Sequence, residues 1–184
     1  LILKTNINSH WEHKVTAGKN DFFLLAQRTT MPQRKRPLGF WIIMLTGLFL
    51  LVMLVLGQTM AFIDYDFAVR LGLQEHKDVI GPIGVAFNKG FGVGDTVVYI
   101  PLLLTGLIGL WRQKDWGFFA MTGALAITAY WPVACWFFLV FARGKPGFRF
   151  ESYLSYSILL GSFTLYALWG LGYLYRNRKT LAKS

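Results

Sequence analysis

What this chain lacks narrows its chemistry. Only one of its 184 residues is cysteine, Cys135, and it lies inside an apolar run. A single cysteine excludes an internal disulfide and a two-cysteine redox relay. His10 and His13 stand in a polar leader and His76 alone in a loop. No His, Cys and carboxylate cluster therefore has ligand spacing, and no metal is expected. Residues 87–94 are glycine-rich, but no strand precedes them and no Gly-Lys-Ser/Thr follows, so they are not a phosphate loop, and no cofactor is expected. Acids are scarce, with 9 Asp and Glu against 19 Lys and Arg. The net charge of +10 does not point to nucleic acid, because the basic residues mostly flank apolar runs, where membrane proteins place them.

What is present is apolar and aromatic. The chain is 54% hydrophobic and 17% aromatic, with a mean hydropathy of +0.43. Its apolar residues gather into four runs of membrane-spanning length, about 38–63, 94–111, 116–142 and 153–175. The expectation is an all-α polytopic membrane protein with one four-helix domain over 31–184. Residues 1–30 are polar and aperiodic, whereas Met31 opens Met-Pro-Gln-Arg-Lys-Arg-Pro just before the first run. The leader reads as an upstream extension of the reading frame or as a disordered tail. A cleaved signal peptide is a rival reading of the first run, but the apolar stretch is too long for a typical signal core. Residues 67–94 read as a flexible loop leading into the membrane: 67–73 as an interfacial turn of helix, 74–78 as solvated, and Gly81-Pro82 as a breaker.

Orientation follows from Lys and Arg. From Met31 onward nine lie on one side (Arg34, Lys35, Arg36, Arg112, Lys114, Arg176, Arg178, Lys179, Lys183) and six on the other (Arg70, Lys77, Lys89, Arg143, Lys145, Arg149). The positive-inside rule then puts both termini in the cytoplasm. Trp41, Trp111, Trp116, Trp169, Tyr173 and Tyr175 form an inner aromatic belt on that topology.

The second and third runs form a hairpin around Arg112-Gln113-Lys114-Asp115. Asp95 and Trp131 each lie about 18 residues, roughly 27 Å, from that turn, so they share a level. The other runs add polar groups near it, giving an outer-half layer of Gln58 and Thr59, Asp95 and Tyr99, Tyr130 and Trp131, and Tyr156 and Ser157. Such one-sided polarity argues for a pocket rather than a pore. A carboxyl close to hydrocarbon is costly unless paired, hydrated or protonated. Asp95 can thus donate a proton as a neutral acid or hold a cationic amine. The plainer reading is that Asp95 caps the start of the second helix. Asp64 and Asp66 read as a solvated helix end, with Asp64 the better candidate to face inward. Pro101 and Pro132 permit kinks that open a cavity or adjust packing. Gly106, Gly109, Gly161, Gly170 and Gly172 allow close helix contacts. Cys135 reads as inert packing.

The stretch Lys89-Gly90-Phe91-x3-Asp95-x5-Pro101 resembles the start of the second helix in the EXPERA family. The layout is similar too: a basic start, a first helix ending Phe62-Ile63-Asp64, a tight basic hairpin containing Trp, and a proline in the outer half of the third helix. The resemblance implies four helices, both ends cytoplasmic, and a cavity in which Asp64 and Asp95 are paired acids. The sterol-isomerase branch resembles a site with an intramembrane His and Glu. This chain has neither, and Asp95 stands where that family has Glu.

Three functions follow. The first is binding of a hydrophobic or cationic-amphiphilic, sterol- or lipid-like ligand in an outer-half pocket, with Asp95, Asp64, Gln58, Tyr99, Tyr130, Trp131 and Tyr156 as binding residues. The second is an isomerase-type enzyme with Asp95 as general acid and Asp64 or Tyr130 as partner. The third is a non-enzymatic subunit or assembly partner. Binding is favoured over catalysis. The expected partners are the lipid bilayer, a hydrophobic small molecule and a second copy of the chain. The expected location is the plasma or inner membrane of a bacterium, or the endoplasmic reticulum of a eukaryote.

Overall fold

The computed structural model describes residues 36–181. The chain divides into two units, Leu1–Pro37 and Leu38–Ser184, and the described helices belong to the second. The leader, residues 1–30, lies outside the described residues. The described residues contain helices and no strand. Helix α1 is Leu38–Ile63, α2 is Tyr65–Arg70, α3 is Lys77–Trp111, α4 is Asp115–Ala142 and α5 is Tyr153–Leu181.

Four of these, all but α2, are long and apolar enough to cross a membrane. Between 22% and 39% of each apolar window is buried inside the bundle. The remaining apolar surface, such as Leu45, Leu48, Phe49 and Val52 on α1, is left for hydrocarbon. This agrees with an integral multi-pass protein.

Glycine sets how closely the spans approach. The α3–α4 turn closes with Gln113 at φ 55°, the Lys114 N–H on the Gly109 carbonyl (2.9 Å) and the Gln113 N–H on that of Leu110 (3.1 Å). Just inside the turn the backbones of Gly109 and Gly117 touch, so a Cβ on either would strike the other. Gly106 lies on the Met121 backbone and Gly170 on Leu125. Ile43, Leu103, Leu110, Met121 and Leu174 fill the core between these contacts.

The second span is longer than its apolar run. It begins at Lys77 rather than near residue 94, and residues 77–94 are helical rather than a flexible loop. Gly81-Pro82 does break the helix, with Gly81 at φ 66°, but the chain resumes its course beyond it. Gly81 is buried against the Gly147 carbonyl, and the Arg149 N–H donates to the Val79 carbonyl (2.6 Å), so residues 143–150 dock on this segment. The composition that reads as flexibility is a contact surface.

Two spans carry a π-helical turn, Leu54–Thr59 in α1 and Asp95–Tyr99 in α3. Pro101 accounts for the second: it supplies no N–H, and its ring would clash with the Val97 carbonyl in a regular helix. The two turns face each other. Gly92 rests on the Gln58 carbonyl with no room for a Cβ. The Thr59 hydroxyl donates to Thr96 (2.8 Å), whose own hydroxyl donates to the Gly92 carbonyl (2.7 Å).

The glycine contacts are checked by substitution. Gly117→Leu in lipid nanodiscs should lose about 1–3 kcal/mol or fail to fold, because its side chain meets backbone. Gly172→Leu should unfold like the wild type, since nothing lies within 4 Å of a Cβ there.

Candidate functional site

Beyond the π turns Ala61 of α1 packs with Tyr65 and with Ile80 of α3 in a small second core. Residues 71–76 form a strap from α2 to α3. Polar side chains pin it at both ends. The Gln74 side-chain amide donates to the Gly57 carbonyl in the π turn (3.3 Å) and accepts from Asn88 (2.7 Å). The Tyr65 hydroxyl donates to the Glu75 carbonyl (2.9 Å) and receives Asn88 (3.3 Å). Burial pushes the Tyr65 phenol upward, so it remains a donor at neutral pH. From α5, the Tyr156 hydroxyl donates to Glu75 Oε1 (2.7 Å).

Under the strap lies a cavity of about 260 Å³. All four spans reach it: α1 through Gln58, α3 through Phe87, Asn88 and Phe91, α4 through Trp131, Cys135 and Phe138, and α5 through Tyr156, Leu159 and Leu160. Phe87 and Phe138 stack face to face across one wall, with centroids 4.0 Å apart.

Among the described residues Glu75 has no cation. Arg70 reaches Asp64 (4.0 Å) and Lys77 pairs with Asp66 (2.8 Å), which holds the Asp66 carboxyl below its usual range. Among the described residues no ion pair is made to Glu75, so its carboxylate meets a largely aromatic cavity with one tyrosine bond. Of the cavity residues, Gln58 and Trp131 each have a polar atom, Oε1 and Nε1, buried without a hydrogen-bond partner among the described residues. Trp131 Nε1 lies near the Tyr99 hydroxyl but outside hydrogen-bond geometry. That hydroxyl is bonded to Thr128, whose own hydrogen goes to the Ala124 carbonyl (2.8 Å).

The residues expected to form a site divide into two groups. Gln58, Trp131 and Tyr156 line the cavity. Asp64, Asp95, Tyr99 and Tyr130 do not. Asp64 caps α2 through the Phe67 N–H (3.0 Å) with its side chain 54% exposed, so it faces away from Asp95 and the two are not a pair. Tyr130 is 69% exposed on the outside of α4. Tyr99 is core, held by Thr128. Asp95 is only 7% exposed and does not line the cavity. Nor is it a helix cap, because helical residues flank it on both sides. No hydrogen bond or ion pair among the described residues reaches its carboxyl. Gln74, Glu75 and Asn88 were missed by the sequence reading. Their polarity reads as solvent exposure, and only the register of Asn88 on the α3 extension could have pointed to them.

Among the described residues no group of three or more His, Cys, Asp or Glu is placed to hold a metal. No protein-family model, curated protein or solved structure matches the chain.

Asp95→Asn tests the buried acid. Removing a desolvated charge that has no partner should leave the protein as stable or more stable at pH 8, read as the melting temperature in nanodiscs. A large loss would mean that the carboxylate has a partner. Tyr156→Phe should cost about 1–2 kcal/mol and speed amide exchange over residues 72–76, because the strap loses its tie to α5.

Proposed function

We propose that this protein binds a hydrophobic or cationic-amphiphilic ligand inside the membrane, with Glu75 as the anchor in place of Asp95. The observation that carries this reading is the convergence of all four spans and the strap on one cavity lined by a carboxylate that has no ion pair among the described residues. A cationic amine would supply the missing charge, and the Phe87, Phe91 and Phe138 rings would cover its apolar body. The volume of about 260 Å³ is small for a ligand site, so it suits a compact molecule or the head of a longer, lipid-like one whose tail stays in the bilayer.

Topology is part of the proposal. With nine Lys and Arg at the turn end and six at the strap end, both termini are cytoplasmic and the cavity lies in the outer half. The contacts Trp41–Trp111 and Trp169–Tyr173 gather aromatic rings at the turn end, which supports the same orientation. An EXPERA-like relationship rests on Lys89-Gly90-Phe91-x3-Asp95-x5-Pro101 and the four-span layout. A second reading, an isomerase-type enzyme, draws support from the Tyr156–Glu75 bond, which puts two proton-transfer groups together at the cavity.

The test is ligand-dependent thermal stability in nanodiscs against a panel of sterols and cationic amphiphiles. A cationic amphiphile should stabilise the wild type, and Glu75→Gln should weaken its binding about tenfold or more. Asp95→Asn should change it little. Loss of binding in Asp95→Asn with Glu75→Gln unaffected would move the anchor back to Asp95. No ligand-dependent shift in any variant would overturn the pocket.

A further inference from the structure

A second opening lies at the turn end of the bundle. Between α1 and α3 runs a groove of about 470 Å³. Its lining recurs at helical spacing, from Trp41 to Leu51 on α1 and from Leu104 to Arg112 on α3. Over that stretch of α1 the groove is roughly 15 Å long. The helices touch where Gly47 meets Leu107, while Leu45, Leu48, Leu104 and Ile108 stay exposed along the opening. A groove with exposed leucine walls on two membrane spans opens sideways to lipid. It shares no lining residue with the cavity under the strap.

Every residue that lines this groove is apolar or aromatic except Arg112. Arg112 follows Trp111, whose ring meets that of Trp41 edge to face, with centroids 6.0 Å apart. Among the described residues no ion pair is made to Arg112, although Asp115 closes the same turn. Nor is its side chain required to cap α3. The carbonyls of Ile108, Gly109 and Leu110 already accept the N–H groups of Arg112, Lys114 and Gln113.

An apolar trough with one cation and a tryptophan pair at its end matches the parts of a phospholipid. An acyl chain restores to the leucine walls the dispersion contacts that an empty groove forfeits. A guanidinium meets a phosphate through two parallel N–H donors. Tryptophan favours the level where chain and headgroup join.

We propose that the groove between α1 and α3 binds one anionic phospholipid, with an acyl chain along Leu48 and Leu104 and the phosphate on Arg112. A lipid of net negative charge is preferred, because a choline headgroup carries its own cation beside the phosphate. The site stands whether or not the cavity under the strap takes an amine. On the orientation proposed above it draws its lipid from the cytoplasmic leaflet, where anionic lipids set a negative surface potential.

The probes are dioleoyl-phosphatidylglycerol and dioleoyl-phosphatidylcholine, titrated into full-length protein in non-ionic detergent, with binding of the first lipid read by native mass spectrometry. The wild type should bind the phosphatidylglycerol about fivefold tighter, the effect of one basic residue near an anionic surface. Arg112→Gln should remove that preference. Lys114→Gln loses the same charge from the same turn, but Lys114 does not line the groove, so the preference should remain. Leu48→Trp fills the groove and should weaken both lipids alike. Glycerol 3-phosphate, which has the phosphate and no chain, should not compete. Equal binding of the two lipids by the wild type would overturn the proposal and leave an unselective groove. Loss of the preference in Lys114→Gln as complete as in Arg112→Gln would overturn it in favour of diffuse surface charge. Competition by glycerol 3-phosphate, or no effect of Leu48→Trp, would show an anion contact without a chain site and overturn it too. Arg112 is exposed, so its substitution should leave the fold intact. A check that needs no variant is ionic strength: the wild-type preference should shrink between about 0.1 M and about 1 M salt, and a preference that does not would count against Arg112.

Discussion

The constraint on which the cavity depends is the contact of Gly92 with the Gln58 carbonyl, which leaves no room for a Cβ. Two helices can meet backbone to backbone only where one of them has no side chain, and here both also widen into a π turn. In the π turn of α1 the Gly57 carbonyl accepts from both the Met60 N–H and the Gln74 side chain, and Gln58 lines the cavity. The two turns also set Thr59 against Thr96, which fixes the rotation of α1 about α3. Beyond that contact Ala61 of α1 still packs with Ile80 of α3, and the cavity lies beneath the strap, where Gln58 meets residues of α3, α4 and α5. A methyl group at Gly92 would move α1 outward, and the strap, tied to the Gly57 carbonyl through Gln74, would move with it.

The same reasoning separates the acids. A carboxyl in a membrane protein survives by capping a helix, by pairing, by resting on the core or by meeting a ligand. Asp64 caps α2, Asp66 pairs with Lys77, and Asp95 lies in the core. Glu75 lines the cavity, and Arg70 and Lys77, the cations nearest to it in sequence, pair with Asp64 and Asp66.

Much of the architecture was legible. Four apolar runs of spanning length read directly as four spans, and the basic turn at 112–115 reads as a tight hairpin. The level shared by Asp95 and Trp131 follows from helical rise alone, and both indeed lie close to Tyr99. Depth, however, is not direction. The rise per residue places Tyr130 and Trp131 at one height but cannot tell which points inward, and Tyr130 turns out to face outward. The glycines of residues 81–94 misled for a different reason. In a soluble loop they would mean freedom, whereas against another backbone they mean proximity, and only the partner, Gly147 or Gln58, tells the two apart. Glu75 was hidden because its neighbours His76, Lys77 and Asp78 make the segment look solvated. What draws it inward is Tyr156, 81 residues away.

The docking of Arg149 on Val79 also bears on the order in which the molecule can be built. The first half of α3 has a broken helix at Gly81 and glycines where a helix would want side chains, so little within it holds it straight. Its support, residues 143–150, leaves the ribosome 70 residues after Val79. At about 5–20 residues per second that is a delay of roughly 4–14 s. During that time α1 and the hairpin half of α3 can already pack through Gly47 and Leu107, and Asn88 can already bond Tyr65 and Gln74. The cavity is thus completed only when α5 brings Tyr156 to the strap. Changes in residues 143–150, which reach the cavity wall through Phe148 on Phe138 and through Phe150, would act first on the yield of finished protein and only afterwards on what that protein holds.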